Sequence, residues 1–548
     1  MKKHYLLLLL SLAIGNIYSQ SFNWAVKGGL YAYDYGYGIA TDASGNVIVA
    51  GKYEQAANFS GTILPNQGNH DIWLAKYTPA GALTWITTGG GILGDYAHGL
   101  TTDGSTFIYV VGEIEGNNAQ IIFPGSSITL TCTAGNDIFL AKYDMNGILL
   151  WAKSAGSSMS DKGIAVTYDN SGNAYICGYY DAACTFNGST TIPNAGSEDI
   201  FIAKYDANGN FQWVKNAGGP GRDEPKAIKC DASGNIYMCG FYSNGMVMGS
   251  NTYSTTSGSY FDAFLAKYDS NGNLQWVKTD GGNYDDVAWG LTMDNAGKIY
   301  TSGEFNASAF FGSIQLITSG NADAYIACYD NSGTVQWAKK AGGSLIDRVR
   351  GMGSDGNNLY ITGQFGSTAN FGSLSLTAAD SSDIFFAVLD NSGNFTKAGA
   401  VGGTPDSTET LGYESGNAIC ADAGGNAYAT GSFLNNAIFG TTVLNAYSRT
   451  DVFVTSIGQF LNVNELDISS DAFEIYPNPT SGSFSFSNKN NTKTEICIND
   501  CLGKNIFKKE TSDPFVTVDL SNETSGFYFM ELKTNNKEVL RKKIVLQK

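Results

Sequence analysis

Apolar and polar residues alternate in short runs along most of the chain, and each run ends at a cluster of Gly, Asn, Asp or Ser. Alternation with period two marks a half-buried strand, and the punctuating residues tolerate the backbone angles of tight turns. One stretch carries the grammar. Gly163-Ile164-Ala165-Val166 predicts a first strand, and Asp169-Asn170-Ser171-Gly172-Asn173 predicts a hairpin turn. Ala174-Tyr175-Ile176-Cys177-Gly178 returns as a second strand. After a variable stretch, Asp199-Ile200-Phe201-Ile202-Ala203-Lys204-Tyr205 predicts a third strand. Asp206-Ala207-Asn208-Gly209 then turns the chain into a fourth, Phe211-Gln212-Trp213-Val214-Lys215.

This four-strand pattern recurs. Its fourth strand carries Trp24, Trp85, Trp151, Trp213, Trp276 and Trp337, with Lys397 in the seventh place. Its third strand opens at Asp71, Asp137, Asp199, Asp262, Asp323, Asp383 and Asp451. A period of sixty-odd residues is too long for a helical solenoid and suits a four-stranded propeller blade. The last third strand, from Asp451, has no fourth strand after it, and the first fourth strand, around Trp24, has no blade before it. The two ends are expected to complete one blade together, which hides the sheet edges. The expected fold is all-β: a seven-bladed β-propeller over residues 20–458, closed by its N- and C-terminal strands, then a small Ig-like β-sandwich.

The recurring Gly-Ile-Ala-x-Asp, Gly-Asn-x-Tyr-x-x-Gly and Asp-x-Phe-x-Ala-Lys-Tyr-Asp strings resemble the bacterial SBBP β-propeller repeat family. That resemblance implies a fold and an envelope or extracellular setting. It implies no reaction.

An acid stands eight residues before the first turn Asp of every repeat: Asp34, Asp95, Asp161, Asp223, Asp286, Asp347 and Glu414. A short carboxylate accepting backbone N–H groups at a strand entrance accounts for this recurrence. A ring of oxygens holding Ca²⁺ is the alternative, although calcium needs six or more ligands in one place. No other cofactor is expected. The positions beside these acids do not repeat. Three residues on stand Tyr37, His98, Ile164, Lys226, Trp289, Arg350 and Asn417, and one residue on stand Tyr35, Tyr96, Lys162, Glu224, Val287, Arg348 and Ser415. Scaffolding alone does not require such variety. Tyr35, Tyr37, Tyr96, His98, Lys226, Trp289, Arg348 and Arg350 are therefore the candidate ligand-binding set, able to grip a glycan or peptide by stacking and a few polar contacts. The bland alternative is that they plug a channel.

Catalysis has weaker support. A glycoside-cleaving site needs paired carboxylates, such as Asp285 or Asp286 near Glu224, yet most such residues fall in repeated slots. A sialidase would need an arginine cluster, and the repeat region offers only Arg222, Arg348, Arg350 and Arg449. A non-catalytic binding or adhesion module is the leading expectation, with an enzyme or a structural envelope protein as alternatives. The formal charge of -17 argues against nucleic acid. Two histidines beyond the N-terminal segment, His70 and His98, and no Cys-x-x-Cys disfavour zinc. Nine cysteines without framework spacing suggest buried thiols.

At the N-terminus, Lys2 and Lys3 precede the apolar run Tyr5 to Ile14, with Ser19 before a plausible cut, so residues 1–19 are expected to be a signal peptide. No later stretch is apolar enough to span a bilayer. Residues 459–472 are expected to form a polar linker, and residues 473–548 a separate β unit. That unit carries Tyr476-Pro477-Asn478-Pro479, Gly482, Gly503, and Gly526-Phe527-Tyr528. These residues resemble the type A C-terminal sorting domain of the type IX secretion system. The resemblance implies that machinery as a partner, and transport across the outer membrane for release or surface attachment.

Overall fold

The computed structural model describes residues 22–258, 260–379, 381–403, 414–422, 424–447, 449–458, 475–476, 480–487, 494–500, 504–513, 515–534 and 539–548. The expected signal segment and linker, Pro477, Asn478, Pro479 and Gly503 lie outside them. The chain divides into two compact units, Met1–Phe460 and Leu461–Lys548.

In the larger unit, antiparallel four-strand sheets recur where the alternation predicts them. Asp161–Tyr168, Ala174–Tyr180, Asp199–Tyr205 and Phe211–Gly218 pair in that order. The variable stretch forms a further hairpin, Cys184–Phe186 and Thr190–Ile192, which sequence patterning did not anticipate. It pairs with Leu149–Gly156, the fourth strand of the preceding sheet. Met246–Met248 joins Phe211–Gly218 in the same way. Each such hairpin stitches one repeat to its predecessor.

The first and last described strands of the larger unit meet in one sheet. Phe22–Leu30 pairs with Asp451–Ile457, with Ala25 opposite Thr455 and Val26 opposite Val454. Tyr35–Thr41 lies against Asp95–Thr102, and Ser415–Ala421 lies against both Arg348–Ser354 and Tyr35–Thr41.

The repeated residues hold neighbouring repeats together. Each fourth-strand tryptophan covers the glycine of the next repeat's hairpin: Trp24 lies on Gly81, Trp85 on Gly147, Trp151 on Gly209 and Trp337 on Gly393. In these four the indole N–H donates to a carbonyl of that same hairpin, 2.8 Å from Trp24 to Pro79 O and 3.2 Å from Trp151 to Ala207 O. These glycines have positive φ, +84° at Gly81 and +81° at Gly209, so the turn and the close approach both favour glycine. Lys397 occupies the seventh place because no hairpin follows there: strand Asp451–Ile457 is completed from the other end of the chain. Apolar cores form between repeats. Tyr109, Val111 and Ile138 bury with Ile176, Cys184 and Phe201 of the next repeat, each large side chain contributing roughly 1.5–3 kcal/mol. All eight described cysteines are free thiols, and Cys177 and Cys239 are buried in these cores.

The smaller unit contains two sheets. One pairs Ile475–Tyr476, Ser483–Ser487 and Phe515–Asp519, and the other Asn505–Thr511, Thr494–Asp500, Gly526–Thr534 and Val539–Leu546. Phe484, Val516 and Val518 from the first share a core with Ile496, Tyr528, Met530 and Ile544 from the second. Tyr528 belongs to this core, its hydroxyl donating to Thr524 O at 2.7 Å, and Gly482 O accepts Leu520 N–H. Tyr476 is 80% exposed.

Candidate functional site

The first strands are not regular. In each, the register against the second strand slips by one residue, and the skipped residue is always the variable one three positions after the acid. The slips fall between Gly36 and Gly38, Ala97 and Gly99, Gly163 and Ala165, and Pro225 and Ala227. They recur between Ala288 and Gly290, Val349 and Gly351, and Gly416 and Ala418. Tyr37, His98, Ile164, Lys226, Trp289, Arg350 and Asn417 are thus β-bulge residues, and a bulge turns an unpaired side chain away from the regular face. A glycine of the second strand stands against the backbone just before each bulge. A Cβ at Gly112 would sit 1.7 Å from Tyr96 O, and one at Gly240 2.0 Å from Glu224 O.

The seven bulge residues converge. All line one chamber of about 340 Å³, together with Lys162, Tyr179, Arg222 and Glu224. A second chamber of about 360 Å³ shares Tyr37, Arg350 and Asn417 with it and adds Tyr35, Lys52, Gln364, Ser415 and Ser432. Both fall in the size range of small-ligand pockets. Sequence reasoning missed Lys52, Glu113, Tyr179, Phe241, Glu304, Gln364 and Ser432. These follow the second-strand glycines directly, as in Gly112-Glu113 and Gly240-Phe241, and vary as freely as the bulge residues. That variation beside an unvarying glycine was the available signal.

Charges here are mostly matched. Glu113, 1% exposed, receives His98 Nε2 at 3.0 Å, Lys162 Nζ at 3.1 Å and Asn136 Nδ2 at 2.6 Å. Burial raises its pKa, but the His98 hydrogen bond and charge, with Lys162 and Asn136, outweigh that and hold the carboxyl below its usual range. Glu224 pairs with Arg222 and, at 2.5 Å, with Lys226. Glu304 forms an ion pair with Arg348, Nε at 3.1 Å, and accepts a hydrogen bond from Trp289 Nε1 at 3.3 Å. Trp289 is the aromatic centre of this sector, with Lys226 Nζ 4.6 Å and Arg350 Cζ 5.2 Å from its ring centroid. Burial lowers the pKa of Lys226 and of Arg350, the latter further depressed by Arg348.

Aromatic rings fill the opposite sector. Tyr35 and Tyr37 stack with an interplanar angle of 1°, and Tyr96 stacks on His98. Lys52 Nζ lies 4.7 Å from the Tyr96 ring and 5.1 Å from the Tyr35 ring. Tyr96 and Arg348 support neighbours here rather than line either chamber.

The leading acids sit apart from this lining, buried and tied to backbone. Asp34 accepts Glu54 N–H at 3.0 Å, and Asp223 accepts Ser243 N–H at 2.9 Å. Asp286 accepts Gly282 and Asn306 N–H, and Asp347 accepts Gly343 and Gly366 N–H. Asp161 accepts Ser157 N–H, while Glu414 is buried. Desolvation, followed by the neighbouring Asp71 carboxylate, raises Asp95 to about 9, and desolvation raises Asp34 and Asp286 to about 8. The third-strand acids are held alike: Asp71 accepts Gln67 N–H and Asp323 accepts Ser319 N–H. Among the described residues, no three or more His, Cys, Asp and Glu side chains are arranged to hold a metal ion. Asp285 accepts Phe261 N–H at 3.0 Å, and neither it nor Asp286 lines a chamber with Glu224.

Residues 474–547 match the secretion system C-terminal sorting domain. This domain directs the protein through the type IX secretion system to the cell surface or the medium, and implies interaction with that machinery. No helix among the described residues is long and apolar enough to cross a membrane.

The chain is 25% identical over 271 residues to the WD repeat-containing protein L264 of Acanthamoeba polyphaga mimivirus, covering 46% of this chain. It is 25% identical over 249 residues, 42% of this chain, to the regulatory protein FlaEY of Caulobacter vibrioides. The matches span only 16% and 26% of those relatives. Among solved structures, the extracellular domain of the hybrid two-component system BT4673 of B. thetaiotaomicron aligns at 10% identity and a TM-score of 0.21, over 93% of this chain and 80% of that one. PorZ, a surface component of the type IX secretion system of Porphyromonas gingivalis, aligns at 10% identity and 0.15, over 95% of this chain and all of that one.

Proposed function

We propose that residues 22–458 form a closed seven-bladed β-propeller of the SBBP repeat type, exported to the cell surface as a non-catalytic glycan-binding module. The pairing of Phe22–Leu30 with Asp451–Ile457 supports closure. One observation carries the binding reading: all seven bulge residues differ chemically and all line one chamber, while the residues around them repeat. A scaffold that needed only a plug would be served by repeated apolar side chains. Half-buried aromatic rings beside amide, hydroxyl and cationic groups suit a sugar, whose apolar ring faces stack and whose hydroxyls accept and donate. The leading acids act as backbone clasps in this reading, so calcium is not a ligand of the site.

The test is a glycan array probed with the full chain, with and without a calcium chelator. Binding unaffected by chelation is expected. A blank array accompanied by capture of an envelope protein would overturn the glycan assignment, and hydrolysed product would overturn the non-catalytic one.

A further inference from the structure

The chamber beside Tyr35 and Lys52 differs from its neighbour in charge balance. Glu113, Glu224 and Glu304 are each neutralised within the site. Among the described residues, Lys52 and Arg350 have no carboxylate within ion-pair distance, and no carboxylate lines the chamber they share. Lys52 is only 8% exposed, and the buried Arg350 Nε has no hydrogen-bond partner. Carboxylates act on them only from farther off, Glu54 and Asp34 on Lys52 and Glu304 on Arg350, and two cations brought into one small chamber without a contacting acid are costly. Ring contacts with Tyr35, Tyr96 and Trp289 offset part of that cost. They do not satisfy the edge of the guanidinium, whose donors match a planar carboxylate.

We propose that this chamber binds an acidic saccharide, a uronate residue whose carboxylate sits between Lys52 and Arg350. The stacked Tyr35 and Tyr37 rings would take an apolar sugar face, and the Gln364 and Asn417 amides its hydroxyls. The sugar is favoured over a peptide carboxylate because the lining offers aromatic faces with hydroxyl and amide groups, and no aliphatic pocket for a side chain. This inference rests on the reading of the chamber as a glycan site and adds the charge of its ligand.

The experiment is calorimetric titration of the full chain with oligomers of galacturonate, glucuronate, mannuronate and guluronate, each beside its neutral methyl ester. At least one free acid is expected to bind at least tenfold more tightly than its ester. Lys52→Met and Arg350→Gln should each weaken that acid at least tenfold, and by a larger factor than they weaken its ester, so that the preference for the acid is lost. Arg350→Lys, which keeps the charge, should recover part of the loss, and an unchanged far-UV spectrum separates lost binding from lost folding. Equal affinity for acid and ester, or full binding by both charge-removing variants, would overturn the uronate assignment while leaving a glycan site standing. Binding only of a peptide carboxylate would also overturn it. Silence from every acid, together with a blank neutral array, would remove both readings.

Discussion

At Asp95 and His98, three residues apart on one strand, the chain meets different demands. Asp95 is buried, its equivalents repeat as acids in every repeat, and its relatives Asp286 and Asp347 each bridge two backbone N–H groups of separate segments. His98 sits on a bulge, faces a chamber, pairs with Glu113 and has a different residue at each equivalent position. Backbone geometry is the same in each repeat, so a residue that serves backbone must repeat. A residue freed from the ladder by a bulge is released from that demand. Constancy and variation along one strand thus separate what holds the fold from what lines the chamber.

The comparison breaks hardest at the glycine that supports the bulge. Gly112→Val should cost about 4 kcal/mol or more, because its Cβ would meet the Tyr96 carbonyl at 1.7 Å and the Phe139 ring at 2.7 Å. Thermal unfolding near the wild-type temperature would mean the strands can part to admit it. Next comes the tie between repeats: Trp151→Ala is expected to cost about 3 kcal/mol through lost burial and a lost bond to the next hairpin. Calorimetry would detect this as a lowered melting temperature. A change too small to resolve would deny the indole its role as a tie.

The acids predict a pH dependence of opposite sign to ordinary carboxylate pairing. Their folded pKa values lie near 9 for Asp95 and near 7 for Asp161, Asp223 and Asp347, raised first by desolvation. The unfolded values lie near 3.9. The folded state therefore holds protons that the unfolded chain releases, and this contribution to stability, complete below about pH 4, is lost as pH rises to about 9. Melting temperatures should fall from pH 5 to pH 9, and Asp95→Asn should flatten the upper part of that decline. A curve that rises through this range would contradict the burial of uncharged acids. Asp103 works the other way: hydrogen bonds from Thr106, Ser105 and Phe107 overcome burial and lower it to about 2, so its contribution is lost only in strong acid.

The smallest effect on stability should come from the chamber. The double variant Trp289→Ala, Arg350→Ala is expected to shift unfolding by about 1 kcal/mol or less, while reducing ligand affinity at least a hundredfold. Unaltered ligand binding would sink the site assignment. A large loss of stability would turn the variable residues back into a plug.

Much of this was legible from the chain because short-range chemistry dictates it. Period-two alternation and Asp-x-x-Gly turns located the strands, and spacing alone paired the acids with their turns. The unpaired third strand at Asp451 and fourth strand at Trp24 predicted the sheet that joins the ends. Motifs around Tyr476 and Tyr528 marked a separate exported unit. The bulges were not legible, because alternation through Gly163-Ile164-Ala165 looks the same whether or not register slips there. A slip is decided by the partner strand, where Gly178 admits the close approach of Lys162 O. The second-strand members of the site, Lys52 and Glu113 above all, also escaped notice, since each looks like an ordinary exposed strand residue until the bulged strand lies beside it. Sequence by itself determined which segments become strands, how they recur and where the exported tail begins, because pleat and turn depend on neighbours along the chain. Tertiary structure alone decided which side chains share a chamber and which charges go unmatched within it. Those outcomes depend on residues hundreds of positions apart meeting across adjacent first strands.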